Sequence, residues 1–327
     1  MLQTVPLAIA AGIAGALLQA TMLALGPVLG ALPWFLSPVP LVAVGLVRGW
    51  SATVIACVAG TVAFGGVGLS LAAAGLYLVS DALPAFVIAT LALRPAPDVP
   101  RPDPSVAEHW YPPGHILAWL MLLPPMLMVA LALVAPEHQD GLWGLVRDGI
   151  GARLDVMLAA AGGETAPVLE EATRVAVVDS AASILPGALA ISWGFRAVVA
   201  GVLAQALARK VGPALRPSPA YIALSLPRWY GTVFAVVLLA AVFGSGDVGY
   251  VASSVALGLS LPFLLLGFKL VHAVARRTPH PTLLLIAFYV VFLSVSALAI
   301  VAMVLAGLVE YSATLRRRAA GRTSEDE

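Results

Sequence analysis

Two charges sit deep inside otherwise apolar runs. Asp81 lies near the middle of residues 70–93, directly after Ser80 and three residues before Pro84. Arg196 lies near the middle of residues 177–208, three residues after Trp193. A charge at the centre of a bilayer costs at least about 2.5–3.5 kcal/mol on insertion scales, so it faces a bundle interior or a wet cavity. Two opposite charges at similar depth invite a pair. Such a pair reads either as an ion lock between helices or as a polar site for an anionic or zwitterionic solute, with Asp81 able to carry a coupled proton. Pro84 has no N–H and frees a backbone carbonyl near Asp81, which suits both readings. Behind these two stand His272 and Glu310, which complete the candidate substrate-binding set. Lys269, beside His272, is read as snorkelling to the interface.

Catalytic signatures are missing. There is no HExxH, no GxSxG and no GxxxxGK[ST]. The histidines, His109, His115, His138, His272 and His280, are scattered, and no metal-ligand spacing emerges. Cys57 is the one cysteine, so no internal disulfide or thiolate cluster can form. The expectation is a chain that is not an enzyme and that uses neither cofactor nor metal.

What must position these residues follows from composition. Of 327 residues, 61% are hydrophobic and 11% charged, and the mean hydropathy is +0.98. Soluble domains carry about a quarter charged residues. This chain cannot coat a water-facing surface, so its solvent is the lipid bilayer. Lys plus Arg number 18 against 17 acids, leaving no basic field for nucleic acid.

Nine uncharged or nearly uncharged runs are candidate spans: 5–25, 28–47, 52–69, 70–93, 116–135, 177–208, 229–243, 250–274 and 282–309. The second and seventh are short or proline-broken, so the count is eight to nine. The runs are too long and too continuously apolar for barrel strands. The fold class is therefore all-α: a polytopic transmembrane helix bundle, with residues 1–327 as one integral membrane domain.

Three connections stand out. Residues 94–114 hold seven prolines and read as an extended linker. Residues 136–174 are acidic, and Leu142, Val146, Ile150, Leu154 and Leu158 recur within them at helical spacing, which predicts a surface helix. Residues 311–327 form a charged tail with Arg316, Arg317, Arg318 and Arg322. Placing the N-terminus in the cytoplasm puts Arg48, Arg94, Arg101, Arg209, Lys210, Arg216, Arg228, Arg276 and Arg277 inside, and the acidic loop outside. Nine spans would then leave the arginine tail outside, against the same rule.

The first run carries Ala8, Gly12, Ala16 and Ala20 on one helical stripe. Such a stripe lets two backbones approach closely, either within the chain or against a partner membrane subunit.

The second half supports a resemblance. Ile184-Leu185-Pro186-Gly187 opens a span that ends Leu207-Ala208-Arg209-Lys210-Val211-Gly212. Leu226-Pro227-Arg228-Trp229 opens the next. Gly267-Phe268-Lys269-Leu270-Val271-His272 precedes a basic turn, and a last span runs through Ala306-Gly307-Leu308-Val309-Glu310 to Leu315-Arg316-Arg317-Arg318. This order resembles the YybS-like family of bacterial inner-membrane proteins, domain of unknown function 2232. Glu310 stands where that family often has Asp. The family is distantly similar to the substrate-binding S-components of energy-coupling-factor transporters, which dock a partner through small-residue stripes. The resemblance thus implies a bacterial cytoplasmic membrane and a solute-binding or permease-like component. The alternatives are a non-enzymatic envelope-assembly scaffold, or an intramembrane enzyme acting on a lipid-linked substrate. A transport component should place Asp81 or Arg196 in a polar cavity; a scaffold should seal them together in a filled core.

Overall fold

A computed structural model describes residues 4–96, 103, 105–134, 141–162 and 170–323. Several prolines of the 94–114 stretch (Pro97, Pro100, Pro102, Pro104), the acids Glu137, Asp140 and Glu164, and the terminal Glu325–Glu327 lie outside them. Among the described residues the elements are helical, with one isolated bridge between Pro95 and Trp110. The chain divides into two compact units. Unit 1 comprises Met1–Leu120, Trp193–Pro227 and Pro262–Glu327; unit 2 comprises Met121–Ser192 and Arg228–Leu261.

Unit 1 begins with α1 (Thr4–Leu36), α2 (Val39–Arg48) and α3 (Trp50–Val67). The sequence suggests separate runs over 5–25 and 28–47. In the structure the break between them falls inside α1, at Gly26, whose φ of 72° only glycine adopts without strain. Beyond Gly26 the chain folds back: Thr21 Oγ1 donates to the Gly30 carbonyl at 3.1 Å. A second break at Ser37-Pro38 separates α1 from α2, because Pro38 and Pro40 remove the N–H groups that would continue the ladder.

The small-residue stripe is used within the chain. Ala8, Gly12 and Ala16 are buried, and a Cβ on Gly12 would lie 2.2 Å from the Ala56 carbonyl oxygen of α3. That face is occupied by the chain's own α3 rather than left for another subunit. The fourth member, Ala20, is only half-buried. The next helical run is interrupted: α4 (Leu71–Tyr77) passes through a π-helical turn at Leu78–Ala82 into α5 (Leu83–Ala92). Tyr77 is fully buried, in room left by Gly15 and Gly60.

The described ends of the 94–114 stretch pair with each other. Ala96 N–H donates to the His109 carbonyl and Tyr111 N–H to the Arg94 carbonyl, each at 2.9 Å. Then α6 (Pro113–Leu120) follows, and the chain passes to unit 2.

Unit 2 holds α7 (Leu123–Val134), α8 (Gly141–Gly162), the first half of α9 (Glu171–Val211), α10 (Arg228–Phe243) and α11 (Gly246–Leu259). The helix α8 includes the Leu142–Leu158 stripe read from the sequence. Asp247 accepts from the backbone N–H of Leu142 and anchors the N-terminus of α8. Arg147 pairs with Asp179 at 2.5 Å, and Arg174 with Asp155 at 2.8 Å, tying α8 to α9. Gly187 and Gly258 let α9 and α11 approach closely.

Unit 1 resumes with the second half of α9, then α12 (Leu261–Ala275), α13 (Pro281–Val295) and α14 (Ala297–Thr323). A single last span over 282–309 is expected from the sequence. The structure breaks it at Ser296, which adopts φ 28°. Polar residues there can bond to nearby backbone groups, and Ser294 Oγ does so to the Val290 carbonyl. The helices α12 and α14 meet at Gly267 and Gly307, where a Cβ would strike the opposite backbone.

Among the described residues, seven helical stretches are long and apolar enough to cross a membrane, with two shorter apolar helices besides, Arg228–Phe243 and Pro281–Val295. Large apolar side chains lie exposed along them, Val28, Leu32, Leu71, Leu293 and Val309 among others. A surface of this kind fits lipid, not water.

Candidate functional site

The structure brings Asp81 and Arg196 together. Arg196 Nη2 lies 2.6 Å from Asp81 Oδ1, and the side chains are 3% and 0% exposed. Asp81 also accepts from the hydroxyls of Ser37 and Ser80. Around Arg196 Nη2 stand Gln19 Oε1 at 3.2 Å, the Trp34 carbonyl at 2.9 Å and Ser37 Oγ at 2.5 Å. The guanidinium lies over the Trp34 ring, 4.6 Å from its centroid, and gains a cation–π contact.

Proline placement builds this node. A helical carbonyl accepts from the N–H four residues on, so Pro84 orphans Ser80, and Pro38 takes that donor from Trp34, whose carbonyl accepts instead from the N–H and hydroxyl of Ser37 at 3.3 and 3.0 Å. Arg196 donates to both carbonyls, reaching Ser80 at 3.2 Å. The π turn adds a third. Within it the Leu83 N–H bonds Leu78, and the partner that would serve Val79 is Pro84. The indole N–H of Trp193 takes the Val79 carbonyl at 3.2 Å. The carbonyl expected near Asp81 is thus two carbonyls, each with a side-chain donor from α9.

His272 and Glu310 make separate contacts. Glu310 pairs with Lys269 at 3.2 Å, both side chains being mostly buried. Lys269 also donates to the Leu224 carbonyl. It therefore holds α12 to α14 instead of reaching for the interface. His272 Nε2 shares a hydrogen bond with Tyr289 OH at 3.0 Å, and the Tyr221 ring meets its edge. Neither Glu310 nor His272 bonds to Asp81 or Arg196.

A cavity of about 480 Å³ lies elsewhere in unit 1. Its walls are mostly apolar: Ile88 of α5, Leu117 and Leu120 of α6, Ala197 and Gly201 of α9, and Leu265 of α12. Asp81 and Arg196 do not line it. Its polar lining comes from Gln205 and Arg209, near the end of α9, and from the following connection, with Arg216, Ser218 and Tyr221. No carboxylate is among the lining residues. Arg216 is 3% exposed. Its Nη1 donates to the Ala92 carbonyl at 2.9 Å, while Gln205 Nε2 holds its backbone carbonyl at 3.0 Å. Its Nε and Nη2 have no hydrogen-bond acceptor among the described residues. Burial alone pushes the Arg216 guanidinium down to about 10.

Sequence reasoning did not single out Gln19, Ser37, Gln205 or the role of Arg216. Gln19 and Gln205 carried a usable signal: each is an amide inside an apolar run, where an unpaired polar group is costly. Arg216 stands in a proline-rich basic connection, and nothing local marks it as buried.

The model of the family described as predicted membrane protein, DUF2232, matches residues 146–310. The chain belongs to that family. The DUF2232 match spans Arg196, Arg209, Arg216, Lys269, His272 and Glu310, whereas Asp81 and the two serines that donate to it, Ser37 and Ser80, lie outside it. No curated protein and no solved structure matches the chain. No group of three or more His, Cys, Asp or Glu side chains able to hold a metal ion occurs among the described residues.

Proposed function

We propose that this DUF2232 protein is a solute-binding or permease-like component of a bacterial inner membrane, and that its binding site is the cavity beside Gly201. The observation that carries the reading is the cavity itself: about 480 Å³ is the size of a small-molecule site, and apolar walls with a few polar groups at one part are what such sites use. The polar lining lies where α9 ends, with Leu46 and Ala92 from the last turns of α2 and α5 also in the wall; the basic residues Arg48, Arg94, Arg209 and Lys210 stand at these helix ends in the sequence. With the N-terminus in the cytoplasm these face inward. The reading assigns the chain no chemical step; transport would draw on an ion gradient or a partner subunit.

Gly201 offers a direct test. A Cβ there would make ordinary contact with Ile88 at 3.8 Å, so a small side chain fits and a large one fills the space. Native mass spectrometry of the protein released from nanodiscs should find a stoichiometric amphiphile on the wild type. Gly201→Phe should lose it while eluting as the same species. Equal occupancy in both proteins, or none in either, defeats the proposal.

A second reading is favoured by a different observation. Asp81 and Arg196 are sealed from solvent with their polar neighbours supplied by the chain itself. That is the arrangement of a structural lock, and it fits a scaffold. The same experiment separates the two: a scaffold should carry a stoichiometric protein partner and no small molecule.

A further inference from the structure

A buried cation asks for an anion. Asp81 answers Arg196 and Glu310 answers Lys269. Arg216 is as deeply buried as Arg196, yet no carboxylate pairs with it among the described residues. A guanidinium has five N–H donors, one on Nε and two on each terminal nitrogen. Only Nη1 of Arg216 is engaged, capping the end of α5 at the Ala92 carbonyl and standing 3.5 Å from that of Tyr111. The three donors on Nε and Nη2 have no acceptor among the described residues. Buried donors of charged groups are almost always satisfied, and one that is not needs an explanation.

The side chain is also held in place. Gln205 fixes its backbone, and Leu215 N–H donates to the Leu46 carbonyl at 2.9 Å, pinning the connection against α2. The flanking Pro213, Pro217 and Pro219 stiffen the segment further. Arg209, exposed on the last turn of α9, adds a second positive charge to the same wall. Two cations, no acid and an apolar chamber form one surface.

We infer that this cavity binds an amphipathic anion, a molecule with an apolar chain in the chamber and a phosphate or carboxylate head on Arg216. A planar fork of donors suits both heads, since either can accept two parallel hydrogen bonds. The inference rests on the cavity being a binding site and adds the charge of its occupant. Arg209 is the entry contact, met first by the head and exposed to salt; Arg216 is the sealed one.

The probes are oleoyl lysophosphatidate, oleate, oleyl alcohol and inorganic phosphate, titrated onto the full chain in nanodiscs of neutral phosphatidylcholine. Binding is read by native mass spectrometry and by tryptophan fluorescence. The two anionic amphiphiles should compete for one site and bind at least ten-fold more tightly than oleyl alcohol. Arg216→Gln should remove that preference while leaving oleyl alcohol unchanged, and Arg216→Lys should restore part of it. Oleyl alcohol binding as tightly as oleate to the wild type overturns the inference and spares the cavity reading. Binding of no amphiphile at all overturns both. Inorganic phosphate binding as tightly as lysophosphatidate also overturns it, because the site would then take a free oxyanion. The wild-type series decides the matter even where a variant does not fold.

Discussion

At the scale of residues, Asp81 and Arg196 show how a costly charge is retained in an apolar bundle. Removing one partner of a buried pair leaves the other uncompensated, which typically costs about 3–5 kcal/mol. Asp81→Asn and Arg196→Gln should each destabilise the protein by that order, measured by thermal or SDS unfolding in one detergent. The Asp81→Asn, Arg196→Gln double variant should lose less than the sum of the singles by at least about 1 kcal/mol. Strict additivity would mean that the two do not act as a pair. Arg196→Lys should not rescue. A single ammonium cannot serve the Trp34 and Ser80 carbonyls together with Asp81, as the guanidinium does. The pair was legible because each charge stands in a long uncharged run. Gln19 and Ser37 were not, because an uncharged polar residue in such a run has many ordinary uses. The unpaired donors of Arg216 were beyond reach for another reason: they depend on α5 and α9 meeting a loop more than a hundred residues from Ala92.

At the scale of elements, prolines and glycines decide where backbone becomes available. Continuous apolar runs made most helices readable, but internal breaks were harder to place. Gly26 turns α1 back, and Ser296 divides a run that looks unbroken by composition. Pro84 is the informative case. Its missing N–H and the π turn together leave the Val79 and Ser80 carbonyls for Trp193 and Arg196. Restoring a donor with Pro84→Ala should let the turn rejoin the helical ladder and compete for those acceptors. Trp193→Phe should then cost about 1 kcal/mol in the wild type, the net worth of one hydrogen bond, and almost nothing with Ala at position 84. Unfolding midpoints of the four proteins give the answer. An equal cost in both backgrounds would show that Trp193 does not depend on the proline. Gly12→Ala tests the α1–α3 contact in the same way. Its Cβ would meet backbone that cannot step aside, so a loss of about 1–3 kcal/mol is expected.

At the scale of the whole molecule, length against bilayer thickness constrains what can lie in lipid. The helix α9 has 41 residues. At 1.5 Å each that is about 60 Å, twice the roughly 30 Å of hydrocarbon. Part of it must therefore leave the membrane, and the charges choose which part. Glu171, Arg174 and Asp179 crowd its first third, where Arg174 and Asp179 are held by Asp155 and Arg147 of α8. Arg209 and Lys210 close the other end. An N-terminus in the cytoplasm assigns the acidic end to the outer side and the basic end to the inner. Cys57 makes the test clean, because it is the single cysteine and is buried. In a Cys57→Ala background, Ala172→Cys should react with a membrane-impermeant maleimide added to spheroplasts. Lys210→Cys, equally exposed in the fold, should react only after the membrane is opened. The reverse pattern would invert the orientation, and it would carry the Arg216 cavity to the opposite face, where the basic helix ends would break the charge rule that placed them. Reaction of both positions in sealed cells would mean that α9 does not cross at all.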